Sequence, residues 1–340
     1  MTETLSIGII GYGYWGPNMV RNFYAQSGCT IKMVADVRDE RLAIVRKTYP
    51  AIETVRDASE IIKNTAIDAI VIATPVFTHY PLAKAALEAG KHILVEKPFV
   101  SKVSDGEELI DIAIQKKKVI MVDHTFLYTG AVNKIKSLID DGVIGKVNYV
   151  DSTRINLGLF QPDINVLWDL AAHDISILNY LVPDKPCSVQ ATGISHTKNG
   201  IENIAYLTVK YPSDLIAHFS CSWSSPVKIR KFLIGGDKKM IVYDDMEPTE
   251  KIKVYDTGVD YKTDEDKRNI LVDYRVGDIY VPKVPLQEAL AGVAKDFIDS
   301  ITTGKAIRSD HISGINVVKV LEAAQVSIKN NGKEVAIKYA

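Results

Sequence analysis

Asp169 and His173 have the residue types and spacing of an acid/base pair. They stand four residues apart in the segment Trp168-Asp-Leu-Ala-Ala-His-Asp174, inside a predicted helix over 165–182. Residues four apart lie on one face of a helix, so both side chains reach a common ligand. A histidine ring takes a proton from a hydroxyl group near neutral pH, and the carboxylate orients the ring or holds a neighbouring hydroxyl. An exposed pair of this spacing is also common on ordinary helices, so the pair alone leaves a structural role open.

A glycine-rich turn after the first predicted strand predicts a site for a diphosphate group. The turn reads Gly11-Tyr-Gly13-Tyr-Trp-Gly16-Pro17 and has the G-x-G-x-x-G spacing. The first glycine allows the tight turn, the second lets a pyrophosphate approach the backbone, and the third lets the following helix pack closely. Free N–H groups at the start of that helix then bind the anion without a basic side chain. The residues expected to hold a dinucleotide here are Gly11, Gly13, Tyr14, Trp15 and Gly16.

Asp36 predicts which dinucleotide is bound. It ends the second predicted strand, 25 residues after Gly11, where a carboxylate accepts hydrogen bonds from the adenosine ribose and repels a 2′-phosphate. Arg38 either attracts such a phosphate or lies against the adenine. We expect NAD, with NADP the less favoured cofactor. Asp36 is also a candidate helix N-cap, a role compatible with ribose binding.

The triplet Glu96-Lys97-Pro98 ends the fourth long predicted strand. Ligands of open parallel sheets bind at the carboxyl ends of the strands, so a lysine there is a candidate functional residue. Its ammonium would stabilise a developing alkoxide, whereas a partly desolvated amine would act as the base. A solvated lysine at a strand end is the plain alternative. We expect Glu96 to bind a cofactor ribose. The residues expected to shape the nicotinamide side of this edge are Thr74, Pro75 and His79.

Strands and helices alternate over the first 124 residues, which predicts a parallel, doubly wound sheet. The predicted strands are Leu5–Ile10, Ile31–Asp36, Ile67–Ala73, His92–Glu96 and Val119–His124. After a helix near 130–142, a strand over Lys146–Leu157 begins a mostly antiparallel series at 188–196, 203–211, 214–223, 228–234 and 239–244. The fold class is therefore α/β, with a Rossmann domain over 1–125. An α+β domain with an open-faced sheet follows over 126–340, and its C-terminal helices, near 285–303 and 311–329, are able to pack back on the first domain.

The composition excludes several classes of partner. Lys and Arg total 41 against 42 Asp and Glu in 340 residues, so no global field attracts nucleic acid or anionic lipid. Three cysteines without a C-x-x-C pair predict neither a disulfide framework nor a metal site. The first residues carry no basic region before an apolar stretch, and no membrane span is expected. We expect a cytoplasmic protein with a small-molecule partner.

The chain resembles the Gfo/Idh/MocA oxidoreductase family over nearly its whole length. The resemblance rests on the Gly11–Gly16 turn, Ala73-Thr74-Pro75 with His79, the E-K-P triplet and the D-x-x-x-H element at Asp169–His173. It implies that Lys97 is catalytic beside the nicotinamide and that Asp169 and His173 are the substrate-side acid/base groups. It also implies a homodimer or homotetramer paired through the second-domain sheet. One departure is Ala171, where many members have glycine.

The substrate is expected to be a sugar, an inositol or a nucleotide-linked sugar, as the resemblance implies. Arg154 and Asn156 lie on one side of the first strand of the second domain, where they would hold a carboxylate or phosphate. A salt bridge is an equally good explanation of Arg154. Three further cations, Lys228, Arg230 and Lys231, favour a nucleotide-linked sugar. The alternatives are an inositol dehydrogenase, an NAD-dependent glycoside hydrolase and a non-catalytic dinucleotide sensor, of which the sensor fits Lys97 and His173 least.

Overall fold

A computed structural model describes residues 4–158, 160–260 and 273–339. The chain forms two compact units. The first comprises Met1–Tyr128 with Glu288–Glu322, and the second comprises Thr129–Gln287 with Ala323–Ala340. Helix α8, Ala289–Thr303, therefore belongs to the first unit, together with the larger part of α9, His311–Lys329.

The sheet of the first unit is parallel throughout and confirms the predicted Rossmann topology. Its described strands are β1 Leu5–Ile10, β2 Cys29–Ala35, β3 Glu53–Val55, β4 Ala69–Ile72, β5 His92–Glu96 and β6 Ile120–Asp123. They lie in the order β3-β2-β1-β4-β5-β6. The order reverses between β1 and β4, and ligands of such sheets bind at this switch point. Strand β3 was not predicted, because three residues at a sheet edge carry too little pattern.

Helices connect these parallel strands as crossovers. Those described are α1 Gly16–Tyr24, α2 Asp39–Thr48, α3 Ala58–Lys63, α4 His79–Glu88 and α5 Val103–Lys116. The strands between them are almost wholly apolar, and every residue of β4 and β6 is buried. Such runs are typical of a sheet that is covered on both faces. The polar residues that follow each strand are therefore held by a rigid frame.

The second unit is built on a mostly antiparallel sheet, as predicted. The described strands that matter for the site are β7 Val147–Leu157, β10 Ile216–Ser222, β11 Ser224–Gly236 and β12 Met240–Asp244. The helices are α6 Gly130–Asp140 and α7 Ala172–Leu181. Remaining strands of the sheet are β8 Ser188–Ile194, β9 Ile204–Lys210, β13 Ile252–Tyr255, β16 Ile279–Tyr280 and β17 Val335–Ala336; β14 Gly258–Asp260 and β15 Asp273–Arg275 pair separately.

The strands of this sheet have one buried and one more exposed face. Along β7, Val150, Ser152 and Arg154 are buried, whereas the alternate residues Tyr149 and Asp151 are exposed. The charged stretch 244–268 has the sequence of an ordered loop or hairpin, and it begins as a hairpin of β12 with β13. Residues 261–268 lie outside the described ranges. No helix within those ranges is long and apolar enough to cross a membrane.

Candidate active site

Glycine is found at three positions of the first turn for different structural reasons. Gly11 has a φ of 98°, and a Cβ there would lie 2.5 Å from the carbonyl oxygen of Ala73. A Cβ on Gly16 would lie 2.3 Å from the carbonyl oxygen of Gly11. Gly13 differs, because an added Cβ would meet only the Arg38 guanidinium, at 3.5 Å. The fold therefore requires Gly11 and Gly16, whereas Gly13 leaves its backbone open to a ligand.

Helix α1 begins at this turn with its N-terminus uncapped by any described side chain. Pro17 occupies its first turn, where the missing N–H is tolerated. Tyr14 and Trp15 are 76% and 40% exposed, and their rings meet edge to face at 5.4 Å. An open glycine backbone at the N-terminus of a helix fits the pyrophosphate of a dinucleotide. The expected binding role of Gly11–Gly16 thus fits the geometry and stays a prediction.

Asp36 is buried and strongly hydrogen-bonded. Its Oδ2 accepts from the backbone N–H of Tyr12 at 2.8 Å, and its Oδ1 accepts from the Arg38 backbone N–H at 3.0 Å. The Arg38 side chain also donates to both oxygens, at 3.0 and 3.2 Å. Burial acts to raise the pKa of Asp36, but the hydrogen bonds from Arg38 and Tyr12 outweigh it and hold the pKa below its ordinary value. Asp36 is therefore an anion, with Arg38 locked against it.

This ion pair sets the expected choice of cofactor. We expect NAD to bind at least tenfold more tightly than NADP, because Asp36 is ionised and the Arg38 guanidinium is already ion-paired with it. Replacing Asp36 by serine should narrow the difference, since Arg38 then becomes free to meet a 2′-phosphate. Calorimetric titration of both variants with both cofactors measures it. Tighter binding of NADP by the wild type would mean that Arg38 governs the pocket.

Lys97 follows β5 at the carboxyl edge of the first sheet, the edge that also carries the Gly11 turn. The side chain is half-buried, and the Lys97–Pro98 peptide bond is cis. In the sheet register Glu96 pairs with Asp123, so the ends of β5 and β6 stand side by side. Glu96, Lys97, Asp123 and His124 therefore form one polar cluster, named here the β5/β6 cluster.

The predicted bond between Glu96 and a cofactor ribose is not supported. Glu96 is 6% exposed, and its Oε2 accepts from the Lys97 backbone N–H at 3.2 Å. Its Oε1 is closed off from solvent. Burial, and next the neighbouring Asp123, raise the pKa of Glu96 well above its ordinary value. Glu96 is the register partner of Asp123, and no local sequence pattern could show this because Asp123 lies on another strand.

Thr74, Pro75 and His79 differ in their placement after β4. Pro75 is exposed and Thr74 half-buried, as expected for residues at a ligand-binding edge. His79 is 1% exposed, and its two ring nitrogens lie 2.9 Å from the carbonyl oxygens of Pro98 and Thr74. His79 thus joins the segments that follow β4 and β5. Its predicted place beside the nicotinamide is therefore corrected to a supporting position.

The second unit places Asp169 and His173 on consecutive helical turns. Asp169 lies in a π-helical turn, Leu167–Ala171, and His173 lies in the first turn of α7. Wide turns of this kind are rare and are frequent at functional sites. Both side chains are half-buried. Asn165 begins the segment, because its Oδ1 accepts from the backbone N–H groups of Leu167 and Trp168.

Trp223 holds Asp169 and was missed by the sequence analysis. Its indole N–H donates to Asp169 Oδ2 at 2.9 Å, and the residue is 1% exposed. Gly158 makes room for it, since a Cβ there would lie 2.5 Å from the indole ring. The pairing joins residues 54 positions apart, which no local pattern reveals.

Arg154 lies in a buried ion pair, the alternative to substrate binding that the sequence had left open. Its Nε donates to Asp174 Oδ1 at 2.7 Å, and Ser152 donates to Asp174 Oδ2 at 2.7 Å. Arg154 and Asp174 are 3% and 1% exposed. A guanidinium so placed is not an accessible anchor for a substrate anion, so that assignment is withdrawn. Asn156, half-buried further along the same face, stays a candidate.

Two of the three further cations also have carboxylate partners. Arg230 lies 3.4 Å from Asp245, and Lys231 lies 3.1 Å from Asp244. Lys228 is exposed. The expected contribution of these residues to anion binding therefore loses most of its basis. Among the described residues no group of three or more His, Cys, Asp or Glu is arranged to hold a metal ion.

Removing Arg154 is expected to destabilise the second unit. Arg154→Ala leaves Asp174 charged and buried without its partner, which costs about 3 kcal/mol of unfolding free energy. Urea unfolding of the variant measures the loss. The matched control is Arg56→Ala, because the Arg56–Asp39 pair is 67% and 64% exposed and should contribute little. Equal stability of both variants would contradict a buried ion pair.

The fold and the two sets of side chains define a dinucleotide-dependent oxidoreductase. The glycine turn for the cofactor belongs to the first unit, and the Asp169/His173 pair belongs to the second. Residues 5–124 match the profile of an oxidoreductase family with an NAD-binding Rossmann fold, and residues 132–242 match the GFO/IDH/MocA C-terminal domain. The chain belongs to the Gfo/Idh/MocA family, which confirms the resemblance, and it is an NAD(P)-dependent oxidoreductase.

Relatives of known name match the chain at modest identity. The chain is 25% identical to scyllo-inositol 2-dehydrogenase (NADP(+)) IolW of Bacillus subtilis, over 96% of this chain and 94% of the relative. It is 24% identical to UDP-N-acetylglucosamine 3-dehydrogenase of Acidithiobacillus ferrooxidans, over 95% and 96%. The solved structure of that enzyme superposes with a TM-score of 0.81 at 21% identity, covering 96% of this chain and 99% of the other. The uncharacterized oxidoreductase YdgJ of Escherichia coli is 34% identical, over 49% of this chain and 47% of its own length.

Proposed function

We propose that this enzyme transfers a hydride between nicotinamide C4 and a carbinol carbon of a sugar, with a nucleotide-linked sugar as the substrate class. The observation that carries the proposal is the position of Lys97, which lies at the same sheet edge as the Gly11–Gly16 turn. A lysine at that edge is available to the reacting end of a dinucleotide bound by the turn. The Asp169/His173 pair supplies the acid/base groups that alcohol oxidation needs.

Each side chain has a distinct role in this proposal. The cofactor supplies the hydride acceptor when bound. His173 takes the hydroxyl proton of the substrate as the C–H bond breaks. The Lys97 ammonium stabilises the developing alkoxide, a charge that exists only on the way to the ketone. Asp169, held by the Trp223 indole, orients His173 or a neighbouring hydroxyl.

The substrate class is supported by similarity over the full length. One relative is named as an inositol dehydrogenase and another as a dehydrogenase of a UDP-linked sugar. Both substrates are polyhydroxylated rings, so the shared chemistry is oxidation of a ring carbinol. The cations that favoured a nucleotide-linked sugar are largely ion-paired, and the full-length match to the UDP-sugar enzyme now carries that preference.

A substrate panel tests the proposal. The purified protein is mixed with NAD and UDP-N-acetylglucosamine, N-acetylglucosamine or scyllo-inositol, and NADH is followed by absorbance. We expect NADH with the UDP-linked sugar and none with the Lys97→Ala variant. Product without net NADH would indicate an NAD-dependent glycoside hydrolase instead, and NADH with scyllo-inositol alone would place the enzyme with inositol dehydrogenases.

We also propose a cytoplasmic homodimer or homotetramer that pairs through the sheet of the second unit. Large side chains on that sheet are exposed, among them Tyr149 at 40%, Tyr206 at 48% and Ile216 at 45%. An apolar face of this kind gains stability when a copy covers it. Light scattering measures the mass in solution, and a monomer at micromolar concentration would contradict the proposal.

A further inference from the structure

We propose that Glu96 and Asp123 share a single proton and present one negative charge that stabilises the ammonium of Lys97. Glu96 and Asp123 would then be positioning residues for the proposed reaction. The inference rests on the role proposed for Lys97.

The first support is geometric. Glu96 and Asp123 are register partners at the ends of adjacent parallel strands, and they are 6% and 2% exposed. The two carboxyl groups interact directly, since Asp123 adds to the rise that burial causes in the pKa of Glu96. Two carboxylates in such contact cannot both remain ionised without water, so one holds a proton and donates it to the other. The Thr125 hydroxyl donates to Asp123 Oδ1 at 2.7 Å and thereby favours Asp123 as the charged partner.

The second support is the charge of the titratable groups that interact with the pair, Lys97, His124 and Tyr128. Burial raises the pKa of Asp123 to about 6 and that of Glu96 well above its ordinary value, so the pair holds a proton near neutral pH. Burial and the nearby Lys97 charge lower the pKa of His124 to about 3, so His124 is neutral. Burial also raises the pKa of Tyr128, which keeps it neutral. The shared carboxylate is thus the counter-charge to Lys97 within the β5/β6 cluster.

The shared proton also explains why two acids stand beside one cation. A single ionised acid without a partner would be buried with unsatisfied oxygens, which is costly. Two ionised acids would hold twice the charge that Lys97 balances. One proton between them gives a net charge of −1 and a satisfied hydrogen bond, which matches a single ammonium.

Isosteric amides separate the charge from the packing. In Glu96→Gln the new amide donates to Asp123, and in Asp123→Asn the new amide donates to Glu96, so each single variant keeps one negative charge. The double variant keeps an amide–amide hydrogen bond but loses the charge. A purely structural role predicts no difference between the double variant and the single ones.

Acetylation by acetic anhydride reports the charge of the Lys97 amine without any substrate, because only an uncharged amine reacts. Mass spectrometry follows Lys97 against exposed Lys102 as the reference in the same protein. Relative to the wild type, we expect labelling rates within about threefold in both single variants. We expect labelling at least tenfold faster in the double variant, since a nearby opposite charge shifts such equilibria tenfold or more. A double variant within threefold of the wild type, or a single variant as fast as the double, would overturn the proposal.

One further measurement keeps the test decisive. If the double variant does not fold, carbon-13 NMR of labelled carboxyl groups replaces it. A carboxyl signal still protonated near pH 7 in the wild type and missing in Glu96→Gln supports the shared proton, and its absence from the wild type overturns it. The labelling test needs no sugar. If the expected labelling pattern were found in a protein that oxidises no sugar, only the proposed function would be rejected, and the shared proton would stand.

Discussion

His173→Ala is expected to lower kcat by roughly a hundred- to ten-thousandfold, the range typical of a positioned general base. The hydroxyl proton must leave as the hydride does, and without the imidazole it passes to water. Affinity for NAD should change little, because His173 belongs to the second unit and the dinucleotide turn to the first. Steady-state kinetics and a calorimetric NAD titration measure the two effects separately.

The matched control for His173 is His196→Ala. His196 is exposed in the same unit and has no place in the proposed chemistry, so its removal should leave kcat within about twofold. The pH profile provides a second check. Loss of the acidic limb of kcat/KM in His173→Ala would agree with a base at this position, whereas turnover close to that of the wild type would remove His173 from the mechanism.

Lys97→Ala is expected to lower kcat by roughly a hundred- to a thousandfold, as removal of one oxyanion-stabilising donor does elsewhere. The ammonium contributes most where the alkoxide charge develops, so kcat falls more than KM rises. Lys97→Arg should recover only part of the loss, because a planar fork does not place its charge where the ammonium stood.

The control for Lys97 is Lys102→Ala, five residues along the chain and exposed. Both variants must melt cooperatively and bind NAD before their rates are compared. Equal turnover of Lys97→Ala and Lys102→Ala would mean that Lys97 is the ordinary strand-end lysine that the sequence alone also allowed.

Periodic patterns made most of the fold predictable. The runs that were interpreted as strands all became strands, because continuous apolar runs indicate the buried sheet of the first unit and alternating runs indicate the half-exposed sheet of the second. The predicted alternation of strands and helices was also confirmed and includes the six-residue helix α3, with Asp57 as its cap. The elements that were not predicted are short or unusual. They are β3, with three residues, and the π-helical turn that carries Asp169.

The site was predictable only where a motif is local. The glycine turn and the Asp169/His173 spacing are visible in consecutive residues. The partners of these groups are not, because Arg154–Asp174 joins a strand to a helix and Asp169–Trp223 spans 54 positions. The pairing of Glu96 with Asp123 follows from sheet register, so both acids looked independent in the sequence.

Direct hydride transfer from the sugar to nicotinamide C4 is tested most directly by following an isotope. The most active sugar of the panel is prepared with deuterium on its ring carbons and incubated with the enzyme and NAD, and the NADH formed is analysed by mass spectrometry and proton NMR. Direct transfer predicts one deuterium per NADH, at nicotinamide C4, on a single face of the ring. NADH without deuterium, or deuterium released to water, would contradict the account.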